Sequence, residues 1–197
     1  CDLSTAKELN KIFFEIIVAP SFDVAALSLF SKKKNLRVLA LPRYKPKKSF
    51  GKEIAGGWVI QETDLSKLKE GALKTVTKKS PTKAQLSTLF LAWKTVKHAK
   101  SNAIVVAHNK KIVSISGGQT SRVDAVKYAL TKTKVPAGAV LASDAFFPFR
   151  DSIDLMEKHK IKAVIQPGGS IKDQDVIGAC NEHKISMVFT GKRVFKH

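Results

Sequence analysis

AVLASDAFFPFRDSIDLM, residues 139–156, is the stretch of sequence that decides the fold class. Its first four residues form a short apolar run typical of a buried strand, SDAFFPFRD at 143–151 forms a polar and aromatic turn, and a helix begins near Asp151. The same order of strand, turn and helix recurs around GGQTSR at 117–122 and QPGGS at 166–170. Repeated alternation of this kind predicts an α/β fold.

The rest of the chain alternates between the same two kinds of segment. Helical periodicity predicts helices at residues 4–14, 23–30, 82 to beyond 93, 121–131, from 151 and after 171. Apolar runs between turn residues predict strands at 16–19, 36–41, 58–61, 73–77, 103–107, 112–115, 139–142, 163–165 and 186–189. Residues 42–52 are basic and contain two prolines, which predicts a loop.

The formal net charge of +19 makes nucleic acid a candidate partner, because basic proteins attract phosphates. However, 30 of the 35 basic residues are lysines scattered along the chain, whereas arginine forks are the usual clamps for bases and phosphates. We therefore expect most of this charge to be solvated surface. A basic nucleic-acid-binding module is the alternative function, and we expect no nucleic acid partner.

Cysteine content and hydropathy limit the class of protein further. Cys1 and Cys180 are the only cysteines, which argues against a disulfide framework and against a zinc site built on CxxC. No run approaches the roughly 18 apolar residues of a membrane span, so we expect no membrane partner. No secretory signal is visible either, and a reducing cytoplasm is the expected location.

The three turns that precede helices are the places where we expect chemistry. Helix N-termini present unpaired N–H groups and a partial positive charge, so anionic ligands bind there readily. Glycines let the backbone come close to a ligand, and Arg122 offers a two-pronged clamp for phosphate or carboxylate. Because α/β sheets collect ligands at strand ends, the three turns together predict a binding crevice.

The turn SDAFFPFRD also holds three aromatic residues, Phe146, Phe147 and Phe149, which are costly to expose to water. They either pack under another element or form the wall of a pocket for a flat ligand. Asp151 has two interpretations as well: it is a ligand contact, or it is the N-cap of the following helix.

Seven segments resemble successive blocks of the AICAR transformylase family, whose members join this formyltransferase to IMP cyclohydrolase. They are IIVAPSF at 16–22, KKKNLRVL at 32–39, SNAIV at 101–105, GGQTSRVDA at 117–125, SDAFFPFRD at 143–151, IQPGGSIKD at 165–173 and the ending FTGKRVFKH. Their order and spacing are similar to those of the family across essentially the whole chain. The resemblance therefore implies the C-terminal half of the formyltransferase domain.

The resemblance also implies a fold and a reaction. The implied fold is a cytidine-deaminase-like layered α/β fold, with a mixed sheet and flanking helices and without the zinc of that superfamily. Residues 1–100 would hold the end of a first subdomain and its linking elements, and residues 101–197 a second subdomain with the ligand-binding motifs. The implied reaction transfers a formyl group from the co-substrate 10-formyltetrahydrofolate to the 5-amino group of AICAR in purine biosynthesis.

Matching the family's motifs to this sequence assigns two sets of binding residues. The implied contacts to AICAR are Asn102, Arg122, Phe146 and Arg193. The implied contacts to the folate are Val123, Asp151, Ser170 and Ile171. An arginine can hold a phosphate or carboxamide, an aromatic ring can stack on an imidazole, and an aspartate can accept hydrogen bonds from a pterin amino group.

The family's catalytic Lys-His pair lies in the first half of the domain, and nothing here matches it. Lys97–His98 belongs to a different block, so we expect no catalytic residue in this chain. We expect a homodimer or association with the missing half of the enzyme; a catalytically inactive structural half is the alternative. The family's potassium is implied near Ser101 and Asp144, although Ala99 stands where the family has a hydroxyl residue.

Overall fold

The structure is a computed structural model that describes residues 1–197 except for the side chain of Glu70. The chain divides into two compact units, residues 1–63 and residues 64–197, which are described separately. The family subdomains expected at 1–100 and 101–197 stay a prediction. Within the described part of the chain, none of the helices combines the length and the apolar character needed to cross a membrane.

The first unit is a small α/β layer followed by a hairpin. Its elements are α1 (Leu3–Asn10), β1 (Ile16–Ala19), α2 (Val24–Phe30), β2 (Arg37–Ala40), β3 (Ser49–Ile54) and β4 (Gly57–Glu62). Asp2 caps α1, because its side chain accepts a hydrogen bond from the Thr5 N–H. Strands β1 and β2 pair in parallel, and Ile17 lies with Ala26 and Phe30 in the core of this unit.

The prediction of a loop over residues 42–52 is wrong for its last four residues. Strand β3 begins at Ser49 and pairs in antiparallel fashion with β4. The turn between them includes Gly56, whose φ of +84° an ordinary L-residue rarely adopts. The lysines and prolines of this stretch are typical of a loop, so its composition did not indicate a strand. Strand β3 is stabilised by pairing with β4 rather than by its own composition.

The second unit holds a six-stranded mixed sheet with helices on both faces. Its elements are a 3₁₀ turn at Glu70–Ala72, β5 (Lys74–Thr75), α3 (Lys83–Val96), β6 (Ile104–His108), β7 (Lys111–Ser116), α4 (Arg122–Thr131), β8 (Val140–Ser143), α5 (Asp151–Lys158), β9 (Ala163–Gln166), α6 (Asp173–Glu182) and β10 (Ser186–Phe189). The strand order is β5-β10-β9-β8-β6-β7. Strands β8, β9 and β10 are parallel, and β6 runs antiparallel to both of its neighbours. This is the mixed sheet with flanking helices that the family resemblance implies.

Alternate side chains along the strands point to opposite faces of the sheet and belong to two separate hydrophobic cores. On one face, Ile104, Leu141 and Met187 pack with the apolar sides of α4, α5 and α6. On the other face, Val105 and Ile165 pack with α3. Burial of a large apolar side chain contributes roughly 1.5–3 kcal/mol, so these two layers hold the sheet between helices.

Local hydrogen bonds fix the N-terminus of α3. Helix α3 begins with a capping box, in which Thr82 accepts from the Gln85 N–H and the Gln85 side chain accepts from the Thr82 N–H.

Helix α6 buries Cys180, and burial raises the pKa of its thiol to about 12. That thiol is free and stays neutral at ordinary pH.

Candidate functional site

One edge of the six-stranded sheet collects the three turns that the sequence singles out. Strands β7, β8, β9 and β10 all end at this edge, because β7 and β8 both run antiparallel to β6. GGQTSR follows β7, SDAFFPFRD follows β8 and PGGS follows β9. The segment that leads into β6 lies here too: the Gly118 N–H donates to the Lys100 carbonyl at 2.6 Å. The three turns therefore lie at one edge of the sheet, and the binding crevice that they were expected to form stays a prediction.

Asp144, the residue that follows β8, is the centre of this edge and is fully buried. Its Oδ2 accepts a hydrogen bond from the Ser101 hydroxyl at 2.5 Å. Its Oδ1 accepts from the Ala103 N–H at 3.1 Å and from the Arg122 guanidinium. A buried carboxylate needs such partners, because removing either charge of a buried pair leaves the other one uncompensated.

Arg122 begins α4, and its side chain is only 5% exposed. Besides pairing with Asp144, its Nη1 donates to the Ala103 carbonyl at 3.1 Å and its Nη2 donates to Asn102 Oδ1 at 2.8 Å. The Asn102 amide in turn donates to the Gln119 carbonyl at 3.0 Å. These bonds join the segment before β6, the GGQTSR turn and the residue after β8 into one network.

Phe146 and Arg193 form a second pair beside this network. The guanidinium carbon of Arg193 lies 5.0 Å from the centroid of the Phe146 ring, a cation–π distance. The next residue, Val194, donates its N–H to the Asp144 carbonyl at 3.0 Å. Of the other two phenylalanines in the turn, Phe147 is fully buried in the core and Phe149 is 60% exposed. The core-packing interpretation thus holds for Phe147, and the pocket-wall interpretation stays a prediction for the other two rings.

The four residues expected to contact AICAR lie together around Asp144. Arg122 donates a hydrogen bond to Asn102. Phe146 lies two residues after Asp144, and its partner Arg193 precedes Val194, whose N–H donates to the Asp144 carbonyl. The two pairs differ in access to solvent, since Arg122 is buried whereas Arg193 is exposed.

The residues expected to contact the folate are spread over three turns. Val123 is half-buried next to Arg122, and Ile171 is 99% exposed. Asp151 is the first residue of α5 rather than its N-cap, and its Oδ1 accepts from the Ser152 N–H at 2.6 Å. Ser170 accepts from the Lys172 N–H at 3.1 Å. Within the described part of the chain, no hydrogen bond joins Asp151 to either of the residues after the glycines.

Two side chains that the sequence did not single out hold the PGGS turn. Buried Gln166 accepts from the Gly168 N–H at 2.9 Å, and Asp173 accepts from the Gly169 N–H at 2.7 Å. Gly168 has a φ of +74°, and a Cβ there would lie 2.5 Å from the Phe189 ring. Two features of the sequence could have indicated these roles. One is the polar residue directly before Pro167, and the other is the acidic residue at the start of α6.

Lys97 and His98 directly follow α3, in the segment that leads into β6. The Lys97 ammonium donates to the Ser66 carbonyl at 2.9 Å and lies 3.8 Å from the Asp64 carboxylate. Burial raises the pKa of that carboxyl, but hydrogen bonds from Ser66 and Lys192, together with the Lys97 charge, bring it below its usual value. Lys97 therefore has a structural contact.

The residues near Asp144 fit a potassium ion poorly. The Asp144 carboxylate already accepts from Ser101, Ala103 and Arg122, and Ala99 brings no side-chain oxygen. The carboxylate charge is thus already balanced by a guanidinium. Among the described residues, no three His, Cys, Asp or Glu side chains meet in a metal-binding group.

The comparisons of sequence agree on one family. The sequence model described as "AICARFT/IMPCHase bienzyme" matches residues 1–132. The chain is 47% identical over 211 residues to the bifunctional purine biosynthesis protein PurH of Magnetococcus marinus, covering 100% of this chain and 40% of the relative. The PurH proteins of Aquifex aeolicus and Persephonella marina are 50% and 51% identical, with 39% of each relative covered. The chain thus spans about two fifths of the length of these relatives.

A likeness to a solved structure is much weaker. A Thermotoga maritima diaminohydroxyphosphoribosylaminopyrimidine deaminase/5-amino-6-(5-phosphoribosylamino)uracil reductase is 19% identical, with a TM-score of 0.34 over 54% of this chain and 35% of that one. Similarity at this level is too low to assign a fold.

Proposed function

The chain belongs to the AICARFT/IMPCHase bienzyme family, and from this premise we propose that it is the substrate-positioning part of a folate-dependent formyltransferase of purine biosynthesis. The reaction transfers a formyl group from 10-formyltetrahydrofolate to the 5-amino group of AICAR. The bond from the formyl carbon to the folate N10 breaks and a bond to the amine forms. The amine loses a proton, and N10 gains one.

The observation that carries the proposal is the meeting of four distant residues around one buried carboxylate. Asn102, Arg122, Phe146 and Arg193 come from four segments, and the family resemblance implies that each of them contacts AICAR. The structure joins them through Asp144 and its neighbours. A surface made only of solvated lysines would not need a buried, charged network at this edge.

The chemistry of these groups suits an anionic, flat substrate. The AICAR amine is a weak nucleophile, because its lone pair is delocalised into the ring, so its position relative to the formyl carbon matters greatly. Exposed Arg193 can hold a phosphate, and the Phe146 ring beside it can stack on the imidazole. Asn102, held by Arg122, offers an amide group of fixed orientation.

The folate would lie toward the turns that begin α5 and α6. Asp151 keeps one carboxylate oxygen for the pterin amino group, since the other accepts from Ser152. Ser170, Ile171 and Val123 would contact the remaining edges of the pterin. Proton transfer is left to groups outside this chain, because Lys97 is engaged with Ser66 and Asp64. We therefore expect no turnover from the 197 residues alone.

The finer assignments of the family complete the proposal. Residues 101–197 would be a cytidine-deaminase-like subdomain without zinc, and residues 1–100 would hold the end of a first subdomain and its linking elements. The assembly would be a cytoplasmic homodimer, or an association with the rest of the enzyme. The co-substrate would be 10-formyltetrahydrofolate, and potassium is not required by the side chains near Asp144.

Calorimetric titration with AICAR tests this proposal most directly. We expect AICAR to bind the chain. We expect Phe146→Ala to lower the affinity for AICAR by roughly tenfold, about 1.4 kcal/mol, because the ring stacking is lost. Phe149→Ala is the matched control, because Phe149 lies in the same turn but faces solvent. The two variants should therefore differ in affinity while their melting temperatures stay similar.

Two results would count against the proposal. Equal loss of AICAR affinity in the Phe146 and Phe149 variants would remove the assigned ring from the site. Stabilisation of the chain against heat by an oligonucleotide, with none by AICAR or by a folate analogue, would favour the nucleic-acid-binding alternative.

A further inference from the structure

A second concave region lies at the end of the six-stranded sheet opposite to the three turns. Strands β8 and β9 are parallel, and the turns SDAFFPFRD and PGGS follow them, so the segments that precede β8 and β9 lie at the other end. Residues within 130–137 and residues 158–160, which precede these strands, line a cavity of about 630 Å³. Small-molecule sites typically have volumes of roughly 300–1,000 Å³. We call this region the basic cavity.

The basic cavity combines apolar side chains with exposed positive charges. Buried Leu130 and half-buried Val135 belong to one hydrophobic core of the second unit. Lys134, Lys158 and Lys160 are exposed, and no Asp or Glu is among the described residues that line the cavity. The lining therefore carries the charges of three lysines and no negative side chain.

These three ammonium groups have no partner in the described part of the chain. The ion pairs and side-chain hydrogen bonds of its lysines involve other residues. Lysines at the end of a helix often bond its last carbonyls, but among the described residues no such bond is present for Lys158 at the end of α5. Neighbouring Lys132 differs, since its ammonium lies 5.6 Å from the centroid of the Tyr128 ring. Uncompensated like charges around one cavity favour an anion there.

Hydrogen bonds between the two segments hold the backbone of the basic cavity in place. The Gly138 N–H donates to the Lys160 carbonyl at 3.0 Å, and the Lys162 N–H donates to the Ala139 carbonyl at 2.9 Å. Lys160 has a φ of +57°, a conformation that glycine or asparagine adopts at a lower cost. Lysine is thus not the residue that the backbone favours at this position. The lysines of the cavity are carried by segments that are fixed relative to each other, which lowers the cost of binding a ligand.

We propose that the basic cavity binds a chain of phosphates, carried by a nucleoside triphosphate or by inorganic polyphosphate. A single phosphate group carries a charge of about −1.5 to −2 at neutral pH, which is less than the three lysines supply. A triphosphate carries more charge and presents oxygen atoms to several ammonium groups at once. Leu130 and Val135 offer apolar contacts to the nucleoside part of a nucleotide. This inference does not rest on the formyl-transfer proposal.

A nucleic acid fits the basic cavity less well than a small polyphosphate. Among the described residues that line it there is no arginine and no Phe, Tyr or Trp. Arginine forks read base edges, and aromatic rings provide the surfaces on which single-stranded bases stack. The cavity therefore offers charge for phosphates without groups that would recognise bases along a strand.

Calorimetric titration of the 197-residue chain with tripolyphosphate and with ATP tests the proposal, in metal-free buffer at about 0.1 M salt. We expect either ligand to bind at a single site. Lys134→Gln, Lys158→Gln and Lys160→Gln made together should lower its affinity by roughly tenfold or more, because the attraction between charges is lost. Tighter binding of ATP than of tripolyphosphate would assign the cavity to nucleotides, and equal affinities would assign it to polyphosphate.

Lys45→Gln, Lys47→Gln and Lys48→Gln made together are the matched control, because they remove the same charge from exposed lysines of the first unit. They should change the affinity for tripolyphosphate by about twofold or less. Excess AICAR should leave the binding of tripolyphosphate unchanged, since the candidate site lies at the other end of the sheet.

Four results would overturn the proposal. One is the absence of binding by both ligands at about 1 mM. Another is an equal loss of affinity in the two triple variants, because the attraction would then come from net charge alone. Displacement of tripolyphosphate by AICAR would move the bound anion to the site around Asp144. Displacement by an oligonucleotide would make the cavity part of a nucleic-acid surface.

Discussion

The geometry of the candidate site depends on a few residues whose side chains bind backbone groups. Asp144, Gln166 and Asp173 each accept a hydrogen bond from a main-chain N–H at the sheet edge. Such bonds fix the course of a turn before any ligand arrives. The residues expected to contact ligands are therefore presented by turns that other side chains hold in place.

Gly168 allows the sharpest prediction at this scale. We expect Gly168→Ala to lower the free energy of unfolding by about 1–3 kcal/mol, because of its positive φ and the clash with the Phe189 ring. Gly178→Ala is the control: it lies inside α6 with no atom near the added Cβ, and should raise stability by about 0.5–1 kcal/mol. Urea unfolding of both variants measures this. Equal effects would contradict the arrangement of the PGGS turn.

Asp151 allows a prediction about the folate. Asp151→Asn should weaken binding of a folate analogue by roughly 1–3 kcal/mol while leaving AICAR binding nearly intact, because one acceptor becomes a donor. Calorimetric titration of the full-length Magnetococcus marinus relative, changed at the aligned position, measures both affinities. The control is Asp175→Asn at the aligned position, because Asp175 is exposed. Unchanged folate affinity would show that Asp151 serves only the start of α5.

The ligand-contact residues were easier to infer from the sequence than the residues that support them. Motifs pointed to Asn102 and Arg122, which the structure joins, but the role expected for Asp144 was only a potassium contact. Its importance comes from three partners that are 22 to 43 positions away in the chain. No local pattern encodes such a meeting, because it depends on the strand order of the sheet.

At the scale of elements, helices α5 and α6 are linked by an exposed cluster of charges. Arg150 donates to Asp154 at 3.1 Å and to Glu182 at 2.7 Å, and His183 lies 2.8 Å from Asp154. Hydrogen bonds from Arg150 hold the pKa values of Asp154 and Glu182 below their usual range. The same bonds raise the pKa of Arg150 above its ordinary value.

This cluster predicts a loss of stability in acid. A carboxyl whose pKa is lower in the folded state stabilises the protein above its unfolded pKa, about 4, and that contribution is lost as the pH falls through the folded value. We expect Arg150→Gln to flatten the decrease in melting temperature between about pH 5 and pH 3. Lys172→Gln, which removes an exposed pair with Asp175, is the control. An identical pH profile for wild type and Arg150→Gln would refute the link.

Most elements of the second unit could be predicted because their periodicity and their burial agree. The predicted helix at 121–131 and the predicted strand at 186–189 match α4 and β10 within one residue. Strand β3 could not be predicted, because all of its residues except half-buried Phe50 are exposed and SFGKEI has no regular alternation of apolar and polar side chains. Sheet order could not be predicted from local pattern either, since it depends on pairing between distant strands.

At the scale of the whole molecule, the charge predicts weak and salt-sensitive binding of nucleic acid. We expect a Kd weaker than about 1 μM for any oligonucleotide at about 0.15 M salt, because scattered lysines give only the nonspecific electrostatic contribution. Fluorescence anisotropy over a salt series measures it. Replacing Lys32, Lys33 and Lys34 by glutamine should lower the salt slope slightly. Nanomolar binding at that salt would show a second function.

The pairing of the first and last parts of the second unit sets an order of events during synthesis. The Met187 N–H bonds to Thr77, which is 110 positions earlier, and the Ser101 N–H bonds to the carbonyl of Lys196. During synthesis, β5 must therefore wait for residues 186–189 before it pairs with β10, and Asp144 must wait for Val194. Contacts so far apart in sequence close slowly. Until they close, the nascent chain exposes an unfinished sheet edge, and chaperones or early ligand binding have the most effect at that stage.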